Sequence, residues 1–207
     1  MKKISHDMND ESIEAKVRWF RTLSLSERME MLCNFNDLAL ELNPDLAEKK
    51  MLNRLKDVFE SFQKHEVRYL VIGGIASVLY GVPRATFDLD ILIEATPENT
   101  QRLLDALFAA GMGTASLTNV DEILSNEITI FKDRVRIDVQ TSTPGLRFQE
   151  AWSRRNTLEY KGQPFYVVSR EDLISARKAS IRRADMLAEI ARDQGRAEVC
   201  VTTHPGD

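Results

Sequence analysis

Two carboxylates spaced two residues apart in an otherwise apolar run, Phe87-Asp88-Leu89-Asp90-Ile91-Leu92-Ile93, are the first place in this chain of 207 residues where chemistry can be sought. On a strand, residues i and i+2 leave from the same face. Asp88 and Asp90 therefore share one face, while Leu89, Ile91 and Ile93 take the other. Like charges this close raise one another's proton affinity unless a cation intervenes, and either a divalent ion or a neighbouring arginine would serve. Hard ions such as Mg²⁺ take oxygen ligands and support phosphoryl chemistry by neutralising charge and activating a nucleophile. Asp138, between Ile137 and Val139, can complete a triad from a second strand. The plain alternative is a pair of surface acids, the usual setting of aspartate.

Upstream, Tyr69-Leu70-Val71-Ile72 runs into Gly73-Gly74. Paired glycines let the backbone turn sharply and approach a phosphate, and the N–H groups of a following helix can bind an anion. A simple strand-to-helix turn accounts for them equally. Ser77, one helical turn on, can add a hydroxyl. Arg84 either contacts a triphosphate or pairs with Asp88 or Asp90.

The whole stretch VIGGIASVLYGVPRATFDLDILI, residues 71 to 93, resembles the signature of the polymerase-beta-like minimal nucleotidyltransferases, and within them the abortive-infection and toxin–antitoxin-associated group. The resemblance covers residues 66 to 190 and rests on the combination of GG, PRxTxDxD and a later strand carboxylate. It implies a nucleotidyltransferase-like fold in which Asp88, Asp90 and Asp138 hold Mg²⁺ or Mn²⁺. By the same resemblance Asp88 and Asp90 bridge two ions at the α-phosphate of an NTP and Asp138 helps activate the acceptor. Gly73, Gly74 and Ser77 would hold the β- and γ-phosphates, Arg84 and Thr86 match the lead-in to the acidic pair, and Lys178 and Asp185 match residues of the last helical segment. Lys178 then binds phosphate or braces the carboxylates; its other reading is a solvent-exposed helix lysine. Gly74 stands where many members carry serine, and Arg183-Ala184-Asp185 replaces the usual arginine-lysine-aspartate order. The acceptor hydroxyl belongs to RNA, a protein or a small molecule. Members of the group also serve as partner-binding modules in toxin–antitoxin or phage-defence systems, and a nucleotide-sensing scaffold is a third reading.

The elements that must position these residues follow from pattern. Helices are expected over 12–21, from the Ser24/Glu27 capping box to Asn43-Pro44, and over 46–63, with Met29, Leu32, Phe35, Leu38, Ala39 and Leu42 striping the second and Met51, Leu55, Val58, Phe59 and Phe62 the third. Strands are expected at 69–72 and 87–94, with a short helix over 75–80 between them. Thr96-Pro97 opens a helix to Ala110 whose Leu103, Leu104, Leu107 and Phe108 face the sheet. Residues 111–121 read as loop. Alternating runs at 127–131 and 135–139 form a hairpin through Lys132-Asp133-Arg134. A helix over 148–155 precedes a second hairpin turning at Lys161-Gly162, and the Ser169/Asp172 spacing opens a long helix from 170 to 191. The order gives an α/β chain of the α+β kind, one mixed sheet flanked by helices with an N-terminal helical extension. Its parts are the extension, 1–64, a catalytic domain, 65–193, and a polar tail, 194–207, read with the first ten residues as disordered.

Composition narrows the classes. A hydrophobic fraction of 43% and a charged fraction of 29% suit a folded domain, and no run approaches the ~18 apolar residues of a membrane span. The start MKKISHDMNDES lacks the apolar core of a secretory signal, which points to the cytoplasm. Cys33 and Cys200 form no CxxC pair, and the three histidines complete no zinc pattern. A net charge of −4 disfavours indiscriminate nucleic-acid binding. Lys132, Arg134, Arg136, Arg147, Arg154, Arg155 and Lys161 are a candidate basic face, or simply solvated surface.

Overall fold

The computed structural model describes residues 12–42, 55–133 and 135–182, without the side chains of 36, 37 and 39–41. The expectations for the first ten residues, Pro44, Met51, Asp185 and the 194–207 tail lie outside these. Helices α1 (Ile13–Arg21) and α2 (Leu25–Leu42) come first. Ser12 caps α1 by accepting from the Ala15 N–H. At α2 the expected capping box is complete: the Ser24 N–H donates to Glu27 at 2.6 Å and the Glu27 N–H to Ser24 Oγ at 3.3 Å. The next elements are α3 (Leu55–Lys64), β1 (Tyr69–Val71), α4 (Gly73–Leu79), β2 (Leu89–Ile93) and α5 (Pro97–Ala109). A 3₁₀ turn (Gly113–Leu117), α6 (Val120–Ser125), β3 (Ile128–Lys132), β4 (Arg136–Gln140), α7 (Phe148–Ser153), β5 (Asn156–Tyr160) and β6 (Gln163–Val167) follow. Residues 170–182 are helical and are termed α8.

The strands make one six-stranded mixed sheet in the order β3-β4-β2-β1-β6-β5. β1 runs antiparallel to β2 and parallel to β6, β2 parallel to β4, and the two hairpins close its edges. The central strands are apolar on both faces, as strands covered by helices must be: Tyr69, Leu70, Val71, Leu89, Ile91, Leu92 and Ile93 are all buried. Phe59 of α3 stacks on Phe165 of β6 at 4.7 Å, and Phe62 meets Tyr69 edge-on at 4.8 Å, anchoring α3 to the sheet. The N-terminal helices join the same core. Phe20, Met29, Leu32 and Cys33 are buried with the sheet residues, and the Arg28 guanidinium donates to the carbonyls of Phe20, Arg21 and Leu79. The fold is thus α+β, a mixed sheet flanked by helices with an N-terminal helical region. No helix among the described residues is long and apolar enough to cross a membrane.

Four local expectations need correction. α4 begins at Gly73, so the glycines form its first turn rather than a separate connection. Residues 111–121 are not all loop: Asn119 caps α6 by accepting from the Glu122 N–H, and Ile123 is fully buried; the short length of α6 hides its period, although Asn-x-x-Glu was a legible cap. Phe108 is 65% exposed, because Leu103, Leu104, Ala106 and Leu107 already fill the inward stripe of α5 and Phe108 lies ~40° beyond its Leu104 edge. On α2, Met29 and Leu32 are buried, but Phe35, Leu38 and Leu42 are exposed, so only the first half of that stripe meets the core.

Candidate metal centre and adjoining cavity

The parallel register of β2 on β4 pairs Asp90 directly with Asp138, between the apolar pairs Leu89/Ile137 and Ile91/Val139. Alternation sends both aspartates to one face. Asp88, just before β2, lies on the same side. One carboxylate oxygen from each of Asp88, Asp90 and Asp138 lies within 4.8 Å of the others. Asp138 is buried and the other two are half-buried.

The glycine pair seats this cluster. β1 ends opposite Asp90, with the Ile72 N–H donating to the Asp90 carbonyl, so the next residue lies against the Asp90 side chain. A Cβ at Gly73 would stand 2.0 Å from Asp90 Oδ2, and the residue has φ +64°, which L side chains rarely adopt. A Cβ at Gly74 would stand 2.2 Å from Thr86 Oγ1. Without those atoms, the Gly74 N–H donates to Asp90 Oδ2 at 3.3 Å. The buried Thr86 hydroxyl donates to Asp88 Oδ1 at 2.7 Å. Gly73 is therefore required by the Asp90 carboxylate, and Gly74 by the Thr86 side chain that bonds Asp88.

Burial, then the charge of Asp88, push the Asp90 carboxyl up to about 6, against the opposing pull of the Gly74 N–H; Asp138 adds to the rise and Arg136 relieves it in part. Arg136, two residues before Asp138 on β4, grips it with both arms: Nε to Oδ1 and Nη2 to Oδ2, each 2.8 Å. This bidentate pair raises the guanidinium's own proton affinity. Three carboxylates gather around the one guanidinium that grips Asp138. All-oxygen donors within 4.8 Å of one another fit a hard divalent cation. Both alternatives for compensating the acidic pair, ion or arginine, thus have a place here, with the arginine on Asp138 rather than on the Asp88/Asp90 pair. Arg84 is exposed and makes no ion pair among the described residues; its Nε donates to the Ala85 carbonyl at 3.4 Å.

Beside the carboxylates lies a cavity of about 560 Å³ whose lining includes Gly73, Gly74, Ser77, Arg84, Asp88 and Asp90. Gln140, Thr143, Pro144 and, from α8, Leu173, Ala176, Arg177 and Ser180 also line it. The Ser77 hydroxyl donates back to the Gly73 carbonyl at 2.8 Å. Gly73, Gly74, Ser77, Arg84, Asp88 and Asp90 thus meet at one place, with Asp138 contributing through the carboxylate cluster and Thr86 through its bond to Asp88. Lys178 is exposed on α8 and does not line the cavity. Arg177 does, and sequence reading missed it together with Thr143 and Ser180. The signal was available: Leu173, Ala176, Arg177 and Ser180 are spaced i, i+3, i+4 and i+7, one face of a helix.

The seven basic residues do not make one face. Lys132 and Arg136 belong to the β3–β4 hairpin and Lys161 to the β5–β6 hairpin, at opposite ends of the sheet. Arg154 is committed to Asp172 at 2.8 Å, Arg155 stacks 3.9 Å over Trp152, and Arg147 faces Glu150. Arg134 lies outside the described residues. Comparisons with protein-family models, with curated proteins and with solved structures give no significant match to this chain.

Proposed function

We propose that the chain is a metal-dependent nucleotidyltransferase that moves a nucleoside monophosphate from an NTP to a hydroxyl of an RNA, protein or small-molecule acceptor. One observation carries the reading: the carboxylates of Asp88, Asp90 and Asp138 converge, and Asp88 and Asp90 also line a cavity of about 560 Å³, a size suited to a small-molecule ligand. Asp88, Asp90 and Asp138 would hold Mg²⁺ or Mn²⁺, which supplies charge neutralisation and nucleophile activation at phosphorus. Gly73 and Gly74 keep the Asp90 carboxylate in place; with Ser77 they also form the wall against which the NTP phosphates rest. Arg84 and Arg177, which both line the cavity, supply cations for those phosphates, and Lys178 stands one residue from Arg177 on the same helix. Within this reading residues 65–193 are the catalytic domain, 1–64 a helical extension and 194–207 a tail, in a cytoplasmic protein. Incubation with α-labelled NTPs and Mg²⁺ or Mn²⁺, followed by separation of RNA, protein and small-molecule fractions, identifies the acceptor. Label in no fraction, with pyrophosphate release no higher than in an Asp88→Asn/Asp90→Asn control, would sink the proposal.

A second reading, a partner-binding module of a toxin–antitoxin or phage-defence system, draws on a different feature. Trp19, Phe20, Met31, Leu32, Phe35 and Pro83 line an apolar cavity of about 460 Å³ between α1, α2 and the Arg84 segment. Exposed apolar surface of this kind marks interaction sites. Retention of a co-expressed partner by wild-type protein and its loss in Trp19→Ser/Phe35→Ser, with nucleotide transfer absent from both, would favour this reading.

A further inference from the structure

Arg136 sits where a metal-binding carboxylate would be expected to stand free. Both oxygens of Asp138 are engaged by its guanidinium at 2.8 Å, so a cation approaching Asp88 and Asp90 meets a third ligand already paired. The arginine is not locked in place. Its side chain is 45% exposed, and among the described residues its guanidinium hydrogen-bonds and ion-pairs with Asp138 alone. It also lines a second cavity of about 360 Å³, shared with Arg84, Thr86, Asp88, Lys132 and Asp133, which gives the side chain room to withdraw. A guanidinium and a divalent ion on the same carboxylate repel each other, so the two compete.

We propose that Arg136 is a placeholder cation: it neutralises Asp138 in the metal-free protein and must release at least one Asp138 oxygen for the ion to complete its site. The inference rests on the metal reading of the triad and adds to it a residue that sets metal affinity without being a ligand. Its sign separates it from the alternative in which Arg136 merely orients Asp138. A competitor, when removed, strengthens metal binding; a brace, when removed, weakens it.

The test is Mn²⁺ titration followed by electron paramagnetic resonance of the free ion, on wild type, Arg136→Met, Arg136→Lys and Asp138→Asn, with thermal melts showing that each is folded. Competition predicts a Kd for Arg136→Met lower by roughly tenfold or more, the scale of losing one close positive charge. Arg136→Lys, which keeps the charge but not the two-armed grip, falls between. Asp138→Asn binds more weakly than wild type. Unchanged or weaker Mn²⁺ binding by a folded Arg136→Met, with wild type binding normally, overturns the placeholder role and leaves the metal centre standing. No Mn²⁺ binding by any of the four overturns both.

Discussion

Replacing Asp90 by asparagine should make the metal-free protein more stable at alkaline pH while removing its response to metal. The native carboxyl is raised from 3.8 to about 6. For an acid raised by folding, the ionised form is disfavoured in the native state, so the penalty is absent below the unfolded pKa of ~3.9, builds between there and pH 6, and is constant above. At ~1.4 kcal/mol for each tenfold change in proton affinity, the ionised group costs the metal-free fold about 3 kcal/mol at pH 8. Asparagine keeps an acceptor for the Gly74 N–H and abolishes the charge. Urea unfolding in chelator should therefore show Asp90→Asn gaining up to about 3 kcal/mol over wild type at pH 8 and nearly nothing at pH 3.5. Saturating Mn²⁺ should reverse the order, since an ion that binds only the native state at 100 times its Kd adds ~2.7 kcal/mol, and only wild type binds it well. Asp105→Asn, on the outer face of α5 where the carboxylate meets only Gln101, should show neither effect. A gain of the same size at both pH values, or a loss at pH 8, would refute the electrostatic reasoning and make Asp90 a structural residue.

Other outcomes follow from the same geometry. Gly73→Ala should destabilise by about 2 kcal/mol or more, combining a left-handed backbone with a Cβ driven onto Asp90, and should lower Mn²⁺ affinity together with stability; denaturation and Mn²⁺ titration read the two. Chelator should abolish transfer yet leave a cooperative circular-dichroism melt, lowered only by the stabilisation that a bound ion adds, because the buried strands and helices fold without one. Arg177→Met should weaken NTP binding more than Lys178→Met, as fluorescence titration with a labelled analogue would show, since only Arg177 lines the cavity. The Arg154 guanidinium, assisted by the Ser169 hydroxyl, holds the Asp172 carboxyl below its ordinary value. Its stabilisation is present above pH ~3.9 and lost as pH falls through the lower native value. Arg154→Met should then unfold at a higher pH on acid titration.

What could be read in the sequence was whatever local chemistry dictates. Caps at Ser24, Thr96 and Ser169 and the two-residue turn at Lys161-Gly162, both at positive φ, are set by neighbours in the chain. The face shared by Asp88 and Asp90 follows from the two-residue period of a strand. Pairing of Asp90 with Asp138 depends on β2–β4 register across almost fifty residues, and sequence could offer it only as an expectation. The rotation of α8, which brings Arg177 rather than Lys178 to the cavity, and the rotation of α5, which leaves Phe108 outside, are set by packing and needed the full helix stripe to be weighed. Arg136 was read as one of a basic group; its hold on Asp138 follows from the same i, i+2 rule that paired Asp88 with Asp90, applied to opposite charges.

Calorimetric titration of Mn²⁺ with and without a non-hydrolysable NTP analogue decides whether Asp88, Asp90 and Asp138 form a divalent-metal centre serving an NTP. Mn²⁺ binding should be saturable and tighten with the analogue present, and Asp90→Asn should lose both effects. Mn²⁺ binding that is absent, or indifferent to both the analogue and the substitution, would contradict it.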